Sequence, residues 1–287
     1  MRSGWRVVFR ALACAARDSS DAVAAEAFLL LERIASDLFH QIADGGGGGG
    51  GCGSGGGGGQ SSFVECMNCL IAFGSSSLRA GRSLSAIDLI RQCTGRLMER
   101  INDRRCSASA AAAAAGFGVG PPAAAAAAAS IAGPASVGGQ EDYMGTLFPV
   151  LTGLSRLGAS DGRPEVRARA VGALFAVLDE HGAGFGPDMW VLVFRGVLLP
   201  LFDDLRHLDE PQPDAGSSWL RVSGPAGLTA MVDLTCSHFD ALASAGGLVG
   251  EVLGVLFCCL RHSNERVAEV RCCLTCMRAC VRRLALK

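Results

Sequence analysis

Lysine is nearly missing from this chain: of its 26 basic residues only Lys287 is not an arginine. A nucleotide-hydrolysing phosphate loop needs a Gly-rich turn followed by Lys and then Ser or Thr, so that chemistry is excluded. Aromatic residues are 6% of the 287, and runs of β-branched residues are sparse, which weighs towards helix and against strand. Long apolar runs are absent too. The longest stretch of larger apolar residues, 252–260, is broken by Gly254 and falls far short of the ~20 residues that a membrane-spanning helix needs. Net charge is −1, so nothing draws the chain as a whole to nucleic acid or to an anionic membrane. His40, His181, His207, His238 and His262 are scattered, with no nucleophile motif beside them, which argues against hydrolase chemistry.

What is present is apolar residue in quantity, 49% of the chain, enough for a substantial core. Thirteen cysteines invite a disulfide or zinc reading. The pairs Cys66/Cys69 and Cys273/Cys276 have C-x-x-C spacing, but both lie inside helical patterns and not on the Gly-bearing turns of zinc knuckles. Reduced, buried thiols are expected. Residues 1–17 bear arginine and no acid, as a transit peptide would. Trp5, Val8, Phe9 and Leu12 nonetheless form an ordinary helix stripe, and that reading is preferred.

Residues 147–206 are where caps, breakers and apolar spacing agree. Ser160, Asp161 and Gly162 form a polar break; Pro164 and Glu165 suit a first helical turn. Val166, Ala170, Leu174, Val177 and Leu178 recur at steps of three or four, while Arg167, Arg169 and Glu180 take other faces. Gly182 and Gly184 end this helix. Pro187 and Asp188 open the next, which buries Trp190, Val193, Phe194, Val197, Leu198, Leu201 and Phe202.

The rest of the chain divides around this block. Residues 1–44 read as a helical hairpin, with Val23, Ala27, Leu30, Leu31, Ile34 and Leu38 down one face of its second helix. Residues 45–59 are a polyglycine linker, without side chains to bury. Residues 60–103 read as a second hairpin, its second helix capped by Ser83 or Ser85. Residues 104–139, two alanine runs separated by Gly and Pro, are expected to be a disordered insertion. Residues 140–287 form a helical-repeat block, with Gly224, Pro225 and Gly227 interrupting a helix near its middle and a last helix over 264–284. The expected fold is therefore all-α, a HEAT- or armadillo-like solenoid carrying two low-complexity disordered insertions.

The run FPVLTGLSRL, then RPEVRARAVGALFAVLDEHGAGF, then MWVLVFRGVLLPLFDDLR resembles a helical block in the C-terminal region of large brefeldin-A-inhibited ARF guanine-nucleotide exchange factors of the Sec-seven type. The plant and green-algal members are the most similar. SGWRVVFRALACAARDSSDAVAAEAF, FVECMNCLIAF and LSAIDLIRQCTGRL follow the family's order, and WLRVSGPAGLTAMVDL continues it more weakly. The residues that carry the resemblance include Trp5, Phe148, Pro149, Arg163, Glu165, Arg167, His181, Gly182, Phe185, Trp190, Phe194, Pro200, Phe202, Asp203 and Arg206. They are read as architectural. His181 and Gly182 match the family's HG turn, where Gly would relieve a helix C-cap and His would favour the helix's negative end.

The resemblance implies a segment of a larger factor. Its exchange domain expels nucleotide with an acidic finger, and no FRLPGE-like loop occurs in these residues. The implied role is a non-catalytic scaffold or regulatory region in vesicle-mediated protein transport, without cofactor, metal or small-molecule substrate. The implied partners are small GTPases of the ARF, ARF-like and Rab types and an anionic Golgi membrane surface, not nucleic acid. The implied location is cytosolic, peripheral to trans-Golgi and endosomal membranes. A generic HEAT or armadillo adaptor without any link to ARF is the alternative. Asp203, Asp204 and His207 lie within one helical turn, where helix-end solvation is a better account than a metal. Arg266, Arg271, Arg278, Arg282 and Arg283 form the candidate basic surface for phosphoinositide or ARF contact.

Overall fold

The computed structural model describes residues 4–43, 58–76, 79–115, 137–202 and 224–260. Among the described residues every regular element is helical. The first hairpin comprises α1 (Trp5–Ala15), α2 (Asp21–Asp37) and the short α3 (Phe39–Ala43). The second comprises α4 (Gly58–Gly74) and α5 (Ala80–Ala115). The third comprises α6 (Val137–Ser160) and α7 (Pro164–His181). A 3-10 turn over Gly182–Gly184 leads to α8 (Pro187–Val193), which continues through a wide π-type turn, Phe194–Leu198, and a last turn, Leu199–Leu201. Then come α9 (Gly224–Ser237), α10 (Phe239–Ser244) and α11 (Leu248–Leu260).

The helices stack in two layers. In one, α1 packs on α4, α4 on α6, and α6 on α8; in the other, α2 packs on α5, α5 on α7, and α7 on α9. Within each hairpin the two helices also pack on each other. No hairpin can cover both apolar stripes alone, so stacking joins the interiors into one continuous core from Phe9 to Leu256. The chain is an all-α helical solenoid.

Layering decides which residues are covered. α7 is flanked by α5, α6 and α9, and Val166, Ala170, Leu174, Val177 and Leu178 are buried as the spacing predicts. So are all seven apolar positions expected of α8 and its continuation, Trp190 to Phe202. In α2 the buried face is Ala24, Ala27, Phe28, Leu31, Ile34 and Ala35. Val23 and Leu30, expected on that face, are instead about half exposed, at 47% and 49%. The stripe is rotated towards α1, α4 and α5, the helices that α2 packs on, and the side that carries Val23 and Leu30 is left to solvent. Val8 on α1 is exposed for the same reason, whereas Phe9 and Leu12 are buried.

Three further expectations are corrected. α5 starts at Ala80 and not after Ser83 or Ser85. Ser83 is fully buried inside the helix, its hydroxyl within bonding reach of the Phe73 and Ser76 carbonyls. Helix also enters both ends of the stretch read as a disordered insertion, since α5 runs on to Ala115 and α6 begins at Val137. Alanine's high helix propensity extends a helix that packing has already nucleated. Gly58 and Gly59 are likewise helical; residues 44–57 and 116–136 lie outside the described residues. Finally, Gly224 to Gly227 do not interrupt α9. They begin it, with Pro225 in a first turn that needs no N–H from it.

Candidate functional surface around residues 147 to 202

Two turns position this block. The first joins α6 to α7. Asp161 Oδ1 accepts from the Arg163 backbone N–H at 2.9 Å and from its Nε at 2.9 Å, while Oδ2 accepts from Nη2 at 2.8 Å. The guanidinium reaches on to the preceding hairpin, donating to Ser83 Oγ at 3.0 Å and to the Gly74 carbonyl at 3.1 Å. One arginine thus fixes its own turn and ties it to the α4–α5 turn. Partial burial pushes the Asp161 carboxyl up, but the hydrogen bonds and charge of Arg163, with the charge of Arg167, hold it below the ordinary aspartate value.

Arg167 was expected on an outer face. It is buried, 6% exposed, and donates to the Asp161 carbonyl at 2.8 Å. Its alkyl stem fills a flank that neighbouring helices cover, while its head satisfies an orphan carbonyl of the turn. Glu165 is exposed in the first turn of α7.

The second turn joins α7 to α8. Gly182 stands at the C-cap of α7 as expected, but with φ −62, an ordinary right-handed value that does not itself require glycine. The reason for glycine is proximity. A Cβ there would sit 2.8 Å from the Trp190 ring and 3.0 Å from His238 Nε2. Trp190 is fully buried at the centre of an aromatic cluster, its ring 5.1 Å from Phe185, 5.9 Å from Phe194 and 4.8 Å from His238. Burial holds the His181 imidazole below the ordinary histidine value, against the opposing pull of Glu180 and Glu99. Desolvation thus works against the positive charge expected at the helix end.

Phe148 on α6 lies against Gly196 in the wide turn, where a Cβ would come within 3.1 Å of its ring. That turn sits just ahead of Pro200, whose missing N–H leaves the Gly196 carbonyl without an α-helical donor. Ser155 on α6 donates to the neighbouring Val197 carbonyl at 2.8 Å. Pro149 is inside α6 and half-buried. Phe202 is fully buried and closes on Gly227 of α9. The fold thus gathers Gly182, Phe185, Trp190 and Phe194 into one cluster and places Trp5 apart, on α1, stacked on Phe9 at 5.6 Å. Asp203, Asp204, Arg206, His207 and the basic candidates Arg266, Arg271, Arg278, Arg282 and Arg283 lie outside the described residues.

Sequence reasoning missed His238, which no local pattern places beside Trp190. It also missed the arginine clamps between hairpins. Asp21 accepts from Arg79 and Arg82, Arg169 pairs with Asp88, and Arg91 with Glu180 at 2.5 Å. Arg96 donates to the Ala35 carbonyl at the end of α2 and lies 4.2 Å over the Phe39 ring.

No protein-family profile matches the chain, and no solved structure does. Among known proteins it is 27% identical to the brefeldin A-inhibited guanine nucleotide-exchange protein 2 of Arabidopsis thaliana, across 94% of this chain and 15% of that protein. It is 26% identical to protein 3 of the same plant, across 93% of this chain and 14% of the relative. The human protein 1 of the same name is 22% identical across 94% of this chain and 12% of its own length. The chain spans about one seventh of the plant relatives it matches. Along nearly its whole length, then, this chain is similar to one segment of the brefeldin A-inhibited guanine nucleotide-exchange proteins, more so to the plant ones than to the human one.

Proposed function

We propose that this chain is a non-catalytic, HEAT- or armadillo-like scaffold segment of an ARF guanine-nucleotide exchange factor in vesicle-mediated transport. The observation that carries the reading is the similarity across 94% of the chain to proteins named for nucleotide exchange. The layered core is compatible with it, since a stacked solenoid offers a long surface for protein contacts. In this role the chain binds small GTPases of the ARF, ARF-like or Rab type and restrains or positions an exchange domain at trans-Golgi or endosomal membranes. The arginines Arg266, Arg271, Arg278, Arg282 and Arg283 supply charge for an anionic membrane or a GTPase. Architectural roles are assigned to Trp5, Phe148, Arg163, Arg167, Gly182, Trp190 and Phe202.

The test is co-sedimentation of the chain with immobilised ARF, ARF-like and Rab GTPases, each loaded with GDP or with a GTP analogue. Retention by at least one of them in a nucleotide-dependent way is expected. Absence of binding to all of them would remove the GTPase-scaffold reading.

A further inference from the structure

α8 and the α9–α10 junction meet where the Trp190 and His238 rings pack together. The Nε2 atoms of His181 and His238 and the Nε1 of Trp190 are all shielded from solvent and have no hydrogen-bond partner among the described residues. The His238 ring lies against the Trp190 ring at 4.8 Å, and its Nε2 faces the Gly182 backbone, one residue from His181. His181 ends α7; His238 sits between α9 and α10, the hairpin that packs on α7 and α8. A half-buried group that gains charge between pH 8 and 5, His238, is thereby set against an aromatic ring at a junction between repeats.

We propose that the contact of His238 with Trp190 is a proton-sensitive latch, which holds the α9–α10 hairpin on the preceding repeat at neutral pH and loosens it in mild acid. A neutral imidazole can lie buried against the indole face without a donor or acceptor. An imidazolium there carries a charge that is partly desolvated and whose shielded Nε2 has no partner. The acids that act on the pair are Asp179 on His238, and Glu180 and Glu99 on His181; Asp179 and Glu180 are exposed at the end of α7. Asp188 on α8 and Asp240 on α10 are also exposed. Burial outweighs the attraction of the acids at both histidines and holds each below its ordinary value of 6.5. A base whose folded value is depressed binds its proton preferentially when released. The latch is therefore intact above pH 6.5 and weakens as pH falls from there through the depressed folded values.

Hydrogen–deuterium exchange on the full chain at pH 7.5 and 5.5 tests this, with exchange times scaled for the pH dependence of the chemical rate. Protection across residues 224–244 is expected to fall by up to about tenfold, while residues 63–101 keep theirs. Replacing His238→Phe should keep the ring contact and remove most of the loss. Unchanged protection at 224–244, or an equal loss in both segments, would overturn the latch. Should the Phe variant not fold, the comparison of the two segments in the native chain decides by itself.

Discussion

Leu174 is fully buried on α7, the helix covered by α5, α6 and α9. Leu174→Ala should cost about 2 to 5 kcal/mol of unfolding free energy, measured by denaturant titration; a loss near zero would mean that this face is not packed. Gly182→Ala, read as a cap substitution, would be nearly harmless. With Trp190 at 2.8 Å from the added methyl, it should cost about 1 to 3 kcal/mol. The cysteines give a chemical readout at the same scale. Burial pushes the Cys69 thiol up to about 12 and the Cys93 thiol up to about 11, and burial together with Cys93 and Cys69 raises Cys66 well above its usual value. These three should resist a thiol reagent in the native chain, while the exposed Cys14, Cys106 and Cys258 react; mass spectrometry of the labelled peptides distinguishes them. Most of the buried positions of α7 and α8 were legible from spacing alone. Arg167 was not, because helical period gives a residue's angle but not the width of the arc that neighbours cover. His238 was not, because its partner lies 48 residues earlier in the chain, Trp190.

The hairpin turns hold the elements in register. The Asp161–Arg163 pair links the α6–α7 turn to Gly74 and Ser83 of the hairpin before. A carboxylate held below its ordinary value contributes stability that is present above about pH 3.8 and is lost as pH falls through the lower folded value. Asp161→Asn should therefore lower Tm at neutral pH, and its gap to the native chain should close as pH falls from 5 to 2. A constant gap would mean that the carboxylate charge contributes nothing. Turn composition made this break readable, since Ser160, Asp161, Gly162 and Pro164 each disfavour continued helix. The limits of α5 were less readable. Its alanines have no stripe to bury, so they suggest an insertion, yet their propensity carries the helix to Ala115. In α2, which packs on α1, α4 and α5, the arc that those helices cover leaves Val23 and Leu30 to solvent.

At the scale of the whole molecule, an all-α class was written in the composition and the period, but the two-layer order was not. Stacking is fixed by pairs far apart in sequence, such as Arg169 with Asp88 and Arg195 with Glu251. These pairs are exposed and screened by solvent, so they set register more than stability. Family likeness came from ordered blocks of residues and not from any site, and the relatives extend that likeness across 94% of the chain. The proposed role is a scaffold without exchange chemistry of its own. Release of a fluorescent GDP analogue from ARF, followed with and without the chain in excess, tests it directly. The account predicts release at the spontaneous rate; acceleration that grows with chain concentration would contradict it.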